Sequence, residues 1–402
     1  MTKRQCWALL AIGLAASCLL MGYEFVRSVS TSLFIGYYGS RNLPWVMAAA
    51  PLATIAMVYA YGLVLSLMGA RRALLLSTVA SALVMVACQF GLLRGYAPAS
   101  AVLYVFREAY IVILVEQYWS FINSTVRPEQ ARLVNGPITG FGSIGAIVGA
   151  TLVRRLAGGL GSENLLLLAG LSLLPAAALA YAAYAWGGEP QPSAEEVRGR
   201  QGHLALRLFA GNRVLVLLAG LVLVTQAVST LLDLRFSGLV EAAYAEKNAR
   251  TAYLGGFYAW LNVAAFLLQF AVVPGVLRMV PLRAVHMAIP ALHLTACAAL
   301  MARPTLAVGA LAFGLFKALD YSLFRAAKEM LYIPLSFDSR YRAKSVIDAF
   351  GYRLSKGAVS GLLALAGTVA GALPGGLYAV GALAASVGWI LLARGATREI
   401  DG

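Results

Sequence analysis

Apolar runs, each about as long as a membrane is thick, follow one another along almost the whole chain. A helix needs roughly 20 apolar residues to cross the hydrocarbon core of a bilayer. Runs of this length, separated by short polar segments, predict twelve membrane-spanning helices. The predicted spans lie at about 6–37, 43–68, 71–94, 99–125, 131–156, 163–186, 212–240, 252–275, 281–302, 304–332, 342–372 and 375–395. We therefore expect an all-α polytopic membrane protein.

One longer polar segment, 187–213, interrupts this pattern and contains Gly, Pro and several charged residues. It predicts a cytoplasmic linker between an N-terminal six-helix half, 1–186, and a C-terminal six-helix half, 214–402. A weak internal repeat agrees with this division, since Gly145 and its following alanine recur as Gly357 and its following alanine. Two six-helix halves related as parallel repeats resemble the architecture of major facilitator transporters.

The composition of the chain excludes a soluble globular protein, because 60% of the residues are hydrophobic and only 12% are charged. The formal net charge of +15 is compatible with nucleic-acid binding, but the basic residues outside the spans concentrate in loops predicted to be cytoplasmic. This distribution follows the positive-inside rule and predicts that both termini are cytoplasmic. We expect a monomer in the lipid bilayer of a bacterial inner membrane, with no nucleic-acid partner.

The residue types of metal and catalytic sites are scattered. The four cysteines and three histidines show no CxxC or HExxH spacing, so we expect no metal site and no cofactor. No nucleophile–base set is visible, so we expect no catalytic residue and no enzymatic activity. Charged residues inside the spans are the remaining candidates. A charge at mid-bilayer costs about 2.5–3.5 kcal/mol and persists when it is paired or faces water.

The tenth predicted span carries the densest candidate chemistry. One helical face presents two lysines and two aromatic residues, namely Lys317, Tyr321, Phe324 and Lys328. Arg325 and Glu329 are four residues apart on the adjoining face, where they can pair, and Asp320 lies three residues from Lys317. Ammonium groups between aromatic rings suit an anionic ligand with a flat portion. The alternative is a self-neutralised ion network that fixes helix packing.

The first, fourth, seventh and eleventh spans also carry polar residues at membrane depth. Further candidates for substrate binding are Tyr23, Arg27, Glu116, Trp119, Asn123, Asp233, Arg235, Arg353 and Lys356. Candidates for ion pairs or coupling are Glu24, Glu108, Asp320, Arg325, Glu329 and Asp348. Cations and acids nearly balance, which predicts a shared wet cavity lined by both signs. Local pairs, such as Glu24 with Arg27, are the alternative.

Several of these segments resemble one family. Residues 320–357, DYSLFRAAKEMLYIPLSFDSRYRAKSVIDAFGYRLSKG, are similar to the signature of the nucleotide (ATP/ADP) translocases of plastids and obligate intracellular bacteria. YWSFINSTVRPEQARLVNGPITGFGSIGAIVGA at 118–150, GYEFVRS at 22–28 and LLDLRFSG at 231–238 resemble the motifs of its fourth and fifth, first and seventh spans. The resemblance implies a transporter of a nucleotide or a related organic anion.

The chain departs from that family at charged positions. Ser30 stands where the family has a lysine implicated in nucleotide binding, and Asp233 replaces a glutamate. Asp320 and Arg325 stand where the family has lysine and aspartate, as a swapped pair, while Lys328 matches directly. The SLFR variant resembles family members from free-living bacteria. ATP/ADP exchange is therefore what the resemblance implies, and these residues alone do not establish it.

Three functions remain open from the sequence. The first is alternating-access transport of a nucleotide or related anion. The second is major facilitator transport of a different small solute, coupled to protons through Glu116, Asp233 or Asp320. The third is a membrane scaffold or sensor that transports nothing. Stabilisation of the purified protein by nucleotides, compared with other solutes, distinguishes the first from the other two.

Overall fold

The computed structural model describes residues 1–126, 128–189, 212–333, 335, 347, 351–371 and 373–401. Its secondary structure is helical, and no strand occurs among these residues. Ten helices within them are long and apolar enough to cross a membrane. The prediction of an all-α polytopic membrane protein is confirmed.

The helices follow the predicted spans closely. Those of the first part of the chain are α1 (Lys3–Tyr38), α2 (Leu43–Leu93), α3 (Pro98–Thr125), α4 (Pro128–Leu160) and α5 (Leu165–Gly187). The later helices are α6 (Arg213–Ala243), α7 (Lys247–Leu267), α8 (Val273–Met279), α9 (Leu282–Ala302), α10 (Leu306–Leu319), α11 (Arg325–Tyr332), α12 (Tyr352–Ala370) and α13 (Gly375–Asp401). Two π-helical turns, Leu268–Val272 and Asp320–Phe324, join α7 to α8 and α10 to α11.

Helix α2 covers the second and third predicted spans because it bends at Gly69, whose φ is +78°. Glycine adopts this left-handed conformation at little steric cost. Helix α12, in the place of the eleventh predicted span, is not among the ten helices that meet the length and hydropathy requirements. The count of twelve spans therefore stays a prediction. Residues 190–211 of the predicted linker lie outside the described residues, as does Asp348.

The chain forms two compact units. Unit 1 contains Met1–Gly39, Ala49–Ser193 and Tyr244–Val263, and unit 2 contains Ser40–Ala48, Ala194–Ala243 and Ala264–Gly402. The units depart from the predicted halves at Ser40–Ala48 and at Tyr244–Val263. The second departure agrees with contacts that α7 makes inside unit 1. Arg250, Tyr258 and Asn262 contact α1, and Asn248 contacts the loop between α4 and α5. The division into two six-helix halves stays a prediction.

The beginning of α7 is fixed to unit 1 by Arg250, which is 3% exposed. Its guanidinium donates hydrogen bonds to the main-chain oxygens of Ser32 (2.9 Å), Tyr244 (3.1 Å) and Ala245 (2.9 Å). Ser162, in the loop between α4 and α5, adds a hydrogen bond from its hydroxyl to the side-chain oxygen of Asn248 at 2.8 Å. This end of α7 is therefore attached to unit 1 through buried polar contacts.

Two acidic residues support the same helix end. Glu163 forms an ion pair with Lys247, in which 47% of the lysine side chain is exposed. Glu246 accepts hydrogen bonds from the main-chain N–H groups of Asn248 and Ala249. These two hydrogen bonds stabilise the ionised carboxylate and hold the pKa of Glu246 below its ordinary value. Glu246 therefore caps the first turn of α7 in its charged form.

The core of unit 1 is built around α1, which packs against α5, α4 and α3. Gly145 and Gly149 of α4 lie against the α1 backbone at Ser17 and Met21, where a Cβ atom has no room. Small residues at a helix interface let two membrane helices approach closely. Close packing of α4 on α1 therefore depends on these two glycines.

The core of unit 2 is built around α6, which packs against α13, α10 and α12, while α9 packs against α13. Four aromatic residues form its centre, since Trp389 of α13 contacts Phe324 (5.1 Å between ring centroids), His293 (5.2 Å) and Phe316 (6.1 Å). Each of the four is nearly fully buried. These rings fix the position of the π-helical turn between α10 and α11.

Candidate functional site

Unit 1 holds a buried cation against an aromatic ring. The guanidinium carbon of Arg27 on α1 lies 3.7 Å from the ring centroid of Tyr258 on α7, which is a stacked cation–π contact. The ring of Tyr23, one turn earlier on α1, is 6.0 Å away. Both predicted residues of the first span, Tyr23 and Arg27, thus lie in one cluster. The ring of Tyr258 covers one face of the arginine.

Glu24 lies beside this arginine and is 2% exposed. Its Oε1 accepts a hydrogen bond of 3.0 Å from the side-chain amide of Asn262, four residues after Tyr258 on α7. The same oxygen is 3.6 Å from Nη1 of Arg27, so the two residues form an ion pair longer than a hydrogen bond. Oε2 of Glu24 is buried and has no hydrogen-bond partner among the described residues.

Arg107 joins α3 to the same part of α1. Its Nη1 donates hydrogen bonds to the main-chain oxygen of Arg27 (2.8 Å), to Oγ of Ser30 (2.8 Å) and to Oγ1 of Thr31 (2.5 Å). Its Nε lies 3.3 Å from Glu108, which is the expected carboxylate of the fourth span. Arg107 thus places a positive charge directly at Ser30, where the family resemblance leads us to expect a lysine.

The other candidates on α3 lie apart from this cluster. Glu116 and Asn123 are exposed, and Trp119 is partly buried against the apolar core of unit 1. Within the described part of the chain, no hydrogen bond or ion pair joins these three residues to Arg27. Their assignment to the substrate site stays a prediction.

Unit 2 holds a second cation among aromatic rings. Nζ of Lys317, near the end of α10, is 5.6 Å from the ring centroid of Tyr321, 5.7 Å from that of Phe316 and 5.8 Å from that of Phe313. The residue is half-buried. No described carboxylate lies within 4.0 Å of this ammonium group. Lys317 therefore keeps its positive charge uncompensated at short range in the described structure.

Lys328 on α11 is 3% exposed and also lies near aromatic rings. Its Nζ is 4.9 Å from the ring centroid of Tyr352, the first residue of α12, and 6.0 Å from that of Tyr332. Arg353 and Lys356 follow on α12 and are half-buried. The middle of α11 and the beginning of α12 therefore both carry candidate cations.

The expected single face of the tenth span is interrupted. The turn Asp320–Phe324 is π-helical, so the spacing that places residues on one face of an α-helix does not continue through it. Phe324 is 1% exposed, and its ring packs against Trp389 in the core of unit 2. We expected Phe324 beside the two lysines, but its observed role is packing.

The ion pairs expected in this span are absent from the described residues. No salt bridge joins Arg325 to Asp320 or to Glu329, and Arg325 is exposed. For the pair with Asp320 the physical reason is the π-helical turn, which changes the direction in which Arg325 leaves the helix relative to Asp320. Glu329 lies after that turn on the same α-helix as Arg325, and it is half-buried whereas Arg325 is exposed. The swapped pair inferred from the sequence is therefore not formed in this structure.

Asp233 and Arg235 on α6 are half-buried, and no salt bridge joins them within the described residues. The guanidinium of Arg235 instead lies against the backbone of Gly375, the first residue of α13, and leaves no room there for a Cβ atom. Nε of Arg235 is buried without a hydrogen-bond partner among those residues. Arg235 therefore packs at the beginning of α13, and its role in binding stays a prediction.

Sequence analysis did not select Arg107, Tyr258 and Asn262 as site residues. Tyr258 and Asn262 are four apart on α7, and Asn262 is a polar residue inside an apolar span. That pattern was the available signal, because a polar side chain in a membrane helix usually faces a partner inside the protein. Arg107 was counted as a cation but was not assigned to the site.

The described residues contain no group of three His, Cys, Asp or Glu side chains that could hold a metal ion. The arrangement offers instead buried or half-buried cations beside aromatic rings in each unit. Such groups can bind an anion through charge and a flat ring through stacking.

Residues 284–399, from α9 into α13, match the model of the TLC ATP/ADP transporter family. The resemblance expected from the sequence motifs is thereby confirmed for this part of the chain. A search of the curated proteins found no matching relative.

Solved structures with a similar fold cover almost the whole chain. An auto-inhibited POT family peptide transporter is 12% identical, with 96% of each chain covered and a TM-score of 0.68. The nucleoside transporter NupG is 12% identical, with 99% of each chain covered and a TM-score of 0.66. A D-xylose–proton symporter is 14% identical, with 94% of this chain and 96% of that chain covered and a TM-score of 0.63. The chain therefore has the major facilitator-type fold.

Proposed function

We propose that this chain is a membrane transporter that moves a nucleotide of the ATP or ADP type, or a related organic anion, by alternating access. The observation that carries the proposal is the placement of cations beside aromatic rings, with Arg27 on Tyr258 in unit 1 and Lys317 among three rings in unit 2. The match of residues 284–399 to the TLC ATP/ADP transporter family supports the same class of solute.

A nucleotide joins a phosphate chain to a flat base, and each part needs its own kind of contact. An arginine presents N–H donors in a planar fork that fits phosphate oxygens, and a lysine supplies a compact point charge. Aromatic rings can stack on any of the nucleotide bases, because every base has a flat π-face. The clusters around Arg27 and Lys317 contain both kinds of group.

Arg107 supports phosphate binding near Ser30, where the sequence lacks the lysine that the family resemblance leads us to expect. Ser30 replaces a family lysine, but the guanidinium of Arg107 donates a hydrogen bond to Ser30 and so supplies positive charge at that position from another helix. Arg107 thus supplies positive charge beside Ser30, and Glu108, 3.3 Å from its Nε, balances part of that charge.

We also propose where the protein works. The concentration of basic residues in the predicted cytoplasmic loops favours a bacterial inner membrane with both termini in the cytoplasm. The same distribution accounts for the net charge without a nucleic-acid partner. We propose a monomer without catalytic activity, whose partners are a small anionic solute and the lipid bilayer.

Proton-coupled transport of a different solute is the second candidate. The observation that favours it is the carboxylate of Glu24, which is buried with one oxygen unpartnered among the described residues. Carboxylates of this kind inside membrane proteins mark proton pathways. The similar solved structures include a D-xylose–proton symporter and a peptide transporter, which shows that the fold accommodates solutes of several classes.

Thermal stabilisation of the purified protein tests the proposal. A ligand that binds the folded state and not the unfolded state raises the unfolding temperature, and the shift grows with the logarithm of ligand concentration above the Kd. We expect stabilisation by ADP or ATP, exchange of labelled ADP in proteoliposomes, and loss of both in Arg27→Gln. Arg278→Gln is the matched control, because Arg278 is an exposed cation at the end of α8.

The alternatives give different results in the same assay. Failure of every nucleotide, together with stabilisation by a sugar or a peptide, contradicts the first proposal and supports the second candidate. A protein that shows neither ligand stabilisation nor uptake is a scaffold or sensor.

A further inference from the structure

The carboxylate of Glu24 occupies a position where neither of its charge states is fully satisfied. Its Oε1 accepts one hydrogen bond from Asn262 at 3.0 Å. Its Oε2 is buried and unpartnered in the described part of the chain. An ionised carboxylate needs several donors when it is removed from water, so the charged form of Glu24 is poorly solvated here. A proton on Oε2 removes the charge and leaves the hydrogen bond to Asn262 intact.

The contact between Glu24 and Arg27 is electrostatic and not a close hydrogen bond. Their closest atoms are 3.6 Å apart, whereas a charge-assisted N–H···O bond is about 2.7–2.9 Å long. The guanidinium carbon of Arg27 lies over the ring of Tyr258, 3.7 Å from its centroid. N–H groups of a guanidinium point outward in its plane, and such groups can donate to the oxygens of an anion. The negative charge of Glu24 therefore offsets the charge of Arg27, but at 3.6 Å the two side chains are too far apart for a hydrogen bond that would hold them together.

We propose that Glu24 is a proton-binding site that sets the affinity of Arg27 for the anionic solute, an inference that rests on the proposed function. When Glu24 is ionised, its negative charge competes with the solute for Arg27. When Oε2 takes a proton from water, Arg27 keeps its full charge and binds the anion more tightly. Proton binding and anion binding therefore favour each other, and the coupling is reciprocal.

The other groups around Glu24 keep one charge state near neutral pH. The two cations whose fields act on Glu24 are Arg27 on α1 and Arg107 on α3, and arginines stay protonated. Tyr110 on α3 and Tyr258 on α7 are neutral phenols in this range. Helices α4 and α5 present glycine and Ser172 to the neighbouring part of α1, and no described ionisable group from them lies within ion-pair distance of Glu24. The carboxylates of this cluster are Glu24 and Glu108, and Glu108 pairs with Arg107 at 3.3 Å. Glu24 is the carboxylate that lies beside Arg27.

The test compares ADP affinity at several pH values in the full-length protein and in Glu24→Gln. Glutamine keeps an oxygen that accepts the hydrogen bond of Asn262 but cannot ionise. Dividing the two Kd values at each pH cancels the titration of ADP itself. We expect the affinity of the unmodified protein to fall up to tenfold per pH unit where Glu24 ionises, while Glu24→Gln stays in the tight-binding state.

Glu163→Gln is the matched control, since Glu163 is an acid of the same unit that pairs with Lys247 in a different place. We expect it to keep the pH dependence of the unmodified protein. Calorimetry in buffers of different ionisation enthalpy adds a readout that needs no variant. The unmodified protein should take up close to one proton per ADP bound at a pH where Glu24 is ionised.

The outcomes separate this inference from the function on which it rests. Equal pH dependence in the unmodified protein and in Glu24→Gln overturns the role of Glu24 but leaves nucleotide transport standing. The same conclusion follows if the unmodified protein takes up no proton when ADP binds. Absence of ADP binding in both folded proteins overturns the proposed function, and this inference with it.

Discussion

The guanidinium of Arg27 on α1 stacks on the ring of Tyr258 on α7, with 3.7 Å between the arginine carbon and the ring centroid. The two residues are far apart in the chain but lie in the same compact unit. A cation over an aromatic ring contributes about 0.5–2 kcal/mol, depending on how far water is excluded. The ring therefore holds Arg27 in one orientation, and this orientation can be tested by substitution.

We predict that Tyr258→Leu weakens ADP binding by about 2- to 30-fold, which corresponds to loss of the cation–π contact. Tyr258→Phe keeps the aromatic face and should bind ADP within a factor of about two of the unmodified protein. Isothermal titration of both variants measures the difference. Equal affinities of the leucine and phenylalanine variants would show that the ring does not orient Arg27.

We predict that Lys317→Gln lowers the affinity for ADP by about 10- to 100-fold. A hydrogen bond to a charged group contributes about 1.5–3 kcal/mol, and no described carboxylate within ion-pair distance neutralises this lysine. Arg278→Gln removes a cation from the exposed end of α8 and should leave the affinity unchanged. A Kd of Lys317→Gln that equals that of the control would remove Lys317 from the site.

We predict that Gly149→Ala destabilises the protein by about 1–3 kcal/mol, because the new Cβ meets the α1 backbone at Met21 and forces the helices apart. Gly158→Ala is the matched control on the same helix, since nothing among the described residues beyond the backbone of α4 itself lies within 4 Å of the position of its Cβ. Thermal unfolding in detergent compares the two variants. If both variants lowered the unfolding temperature by the same amount, the close contact of Gly149 with α1 would not be the cause of the loss.

The two cations at the start of α7 should differ sharply in their contribution to stability. Arg250→Ala should cost about 2–4 kcal/mol, because it removes the donor to the buried main-chain oxygen of Ser32 and those to the partly buried oxygens of Tyr244 and Ala245. Lys247→Ala removes a half-exposed ion pair to Glu163, and such pairs contribute about 0–1 kcal/mol. Unfolding temperatures of both variants measure the contrast. A larger loss in Lys247→Ala would contradict the assignment of Arg250 as the main attachment.

The first turn of α7 should loosen at acidic pH. Hydrogen bonds from Asn248 and Ala249 lower the pKa of Glu246 in the folded protein. The ionised Glu246 therefore stabilises the folded state above the ordinary carboxyl pKa, and this stabilisation is lost as the pH falls through the lowered pKa. Amide hydrogen exchange at Asn248 and Ala249 should therefore accelerate below about pH 4 beyond the intrinsic rate. In Glu246→Gln this additional acceleration should be absent, and its persistence would assign the effect to another group.

Helix positions followed from the sequence because span length and apolar content are local properties. The ends of α1, α3 and α9 lie within a few residues of the predicted ends, since each span is bounded by polar residues, Gly or Pro. The proximity of Glu24 and Arg27 also follows from local spacing, because residues three apart share a helix face. These parts of the fold needed no knowledge of tertiary contacts.

The rest of the candidate site depends on contacts that local spacing does not encode. Tyr258 and Asn262 reach Glu24 and Arg27 because α7 packs on α1 within unit 1. No pattern in either helix specifies that packing. Arg107 likewise donates a hydrogen bond to Ser30 from a different helix, and spacing along the chain does not reveal that contact.

The π-helical turn at Asp320–Phe324 also has a consequence for the comparison of sequences. A π turn holds one residue more than the α-helical turn it replaces, and one residue corresponds to about 100° of rotation around the helix axis. An alignment of this segment with an uninterrupted helix therefore needs a one-residue gap in the middle of the span. Without that gap, every position from Arg325 to Tyr332 is assigned to the wrong side of the helix, even where the aligned letters agree.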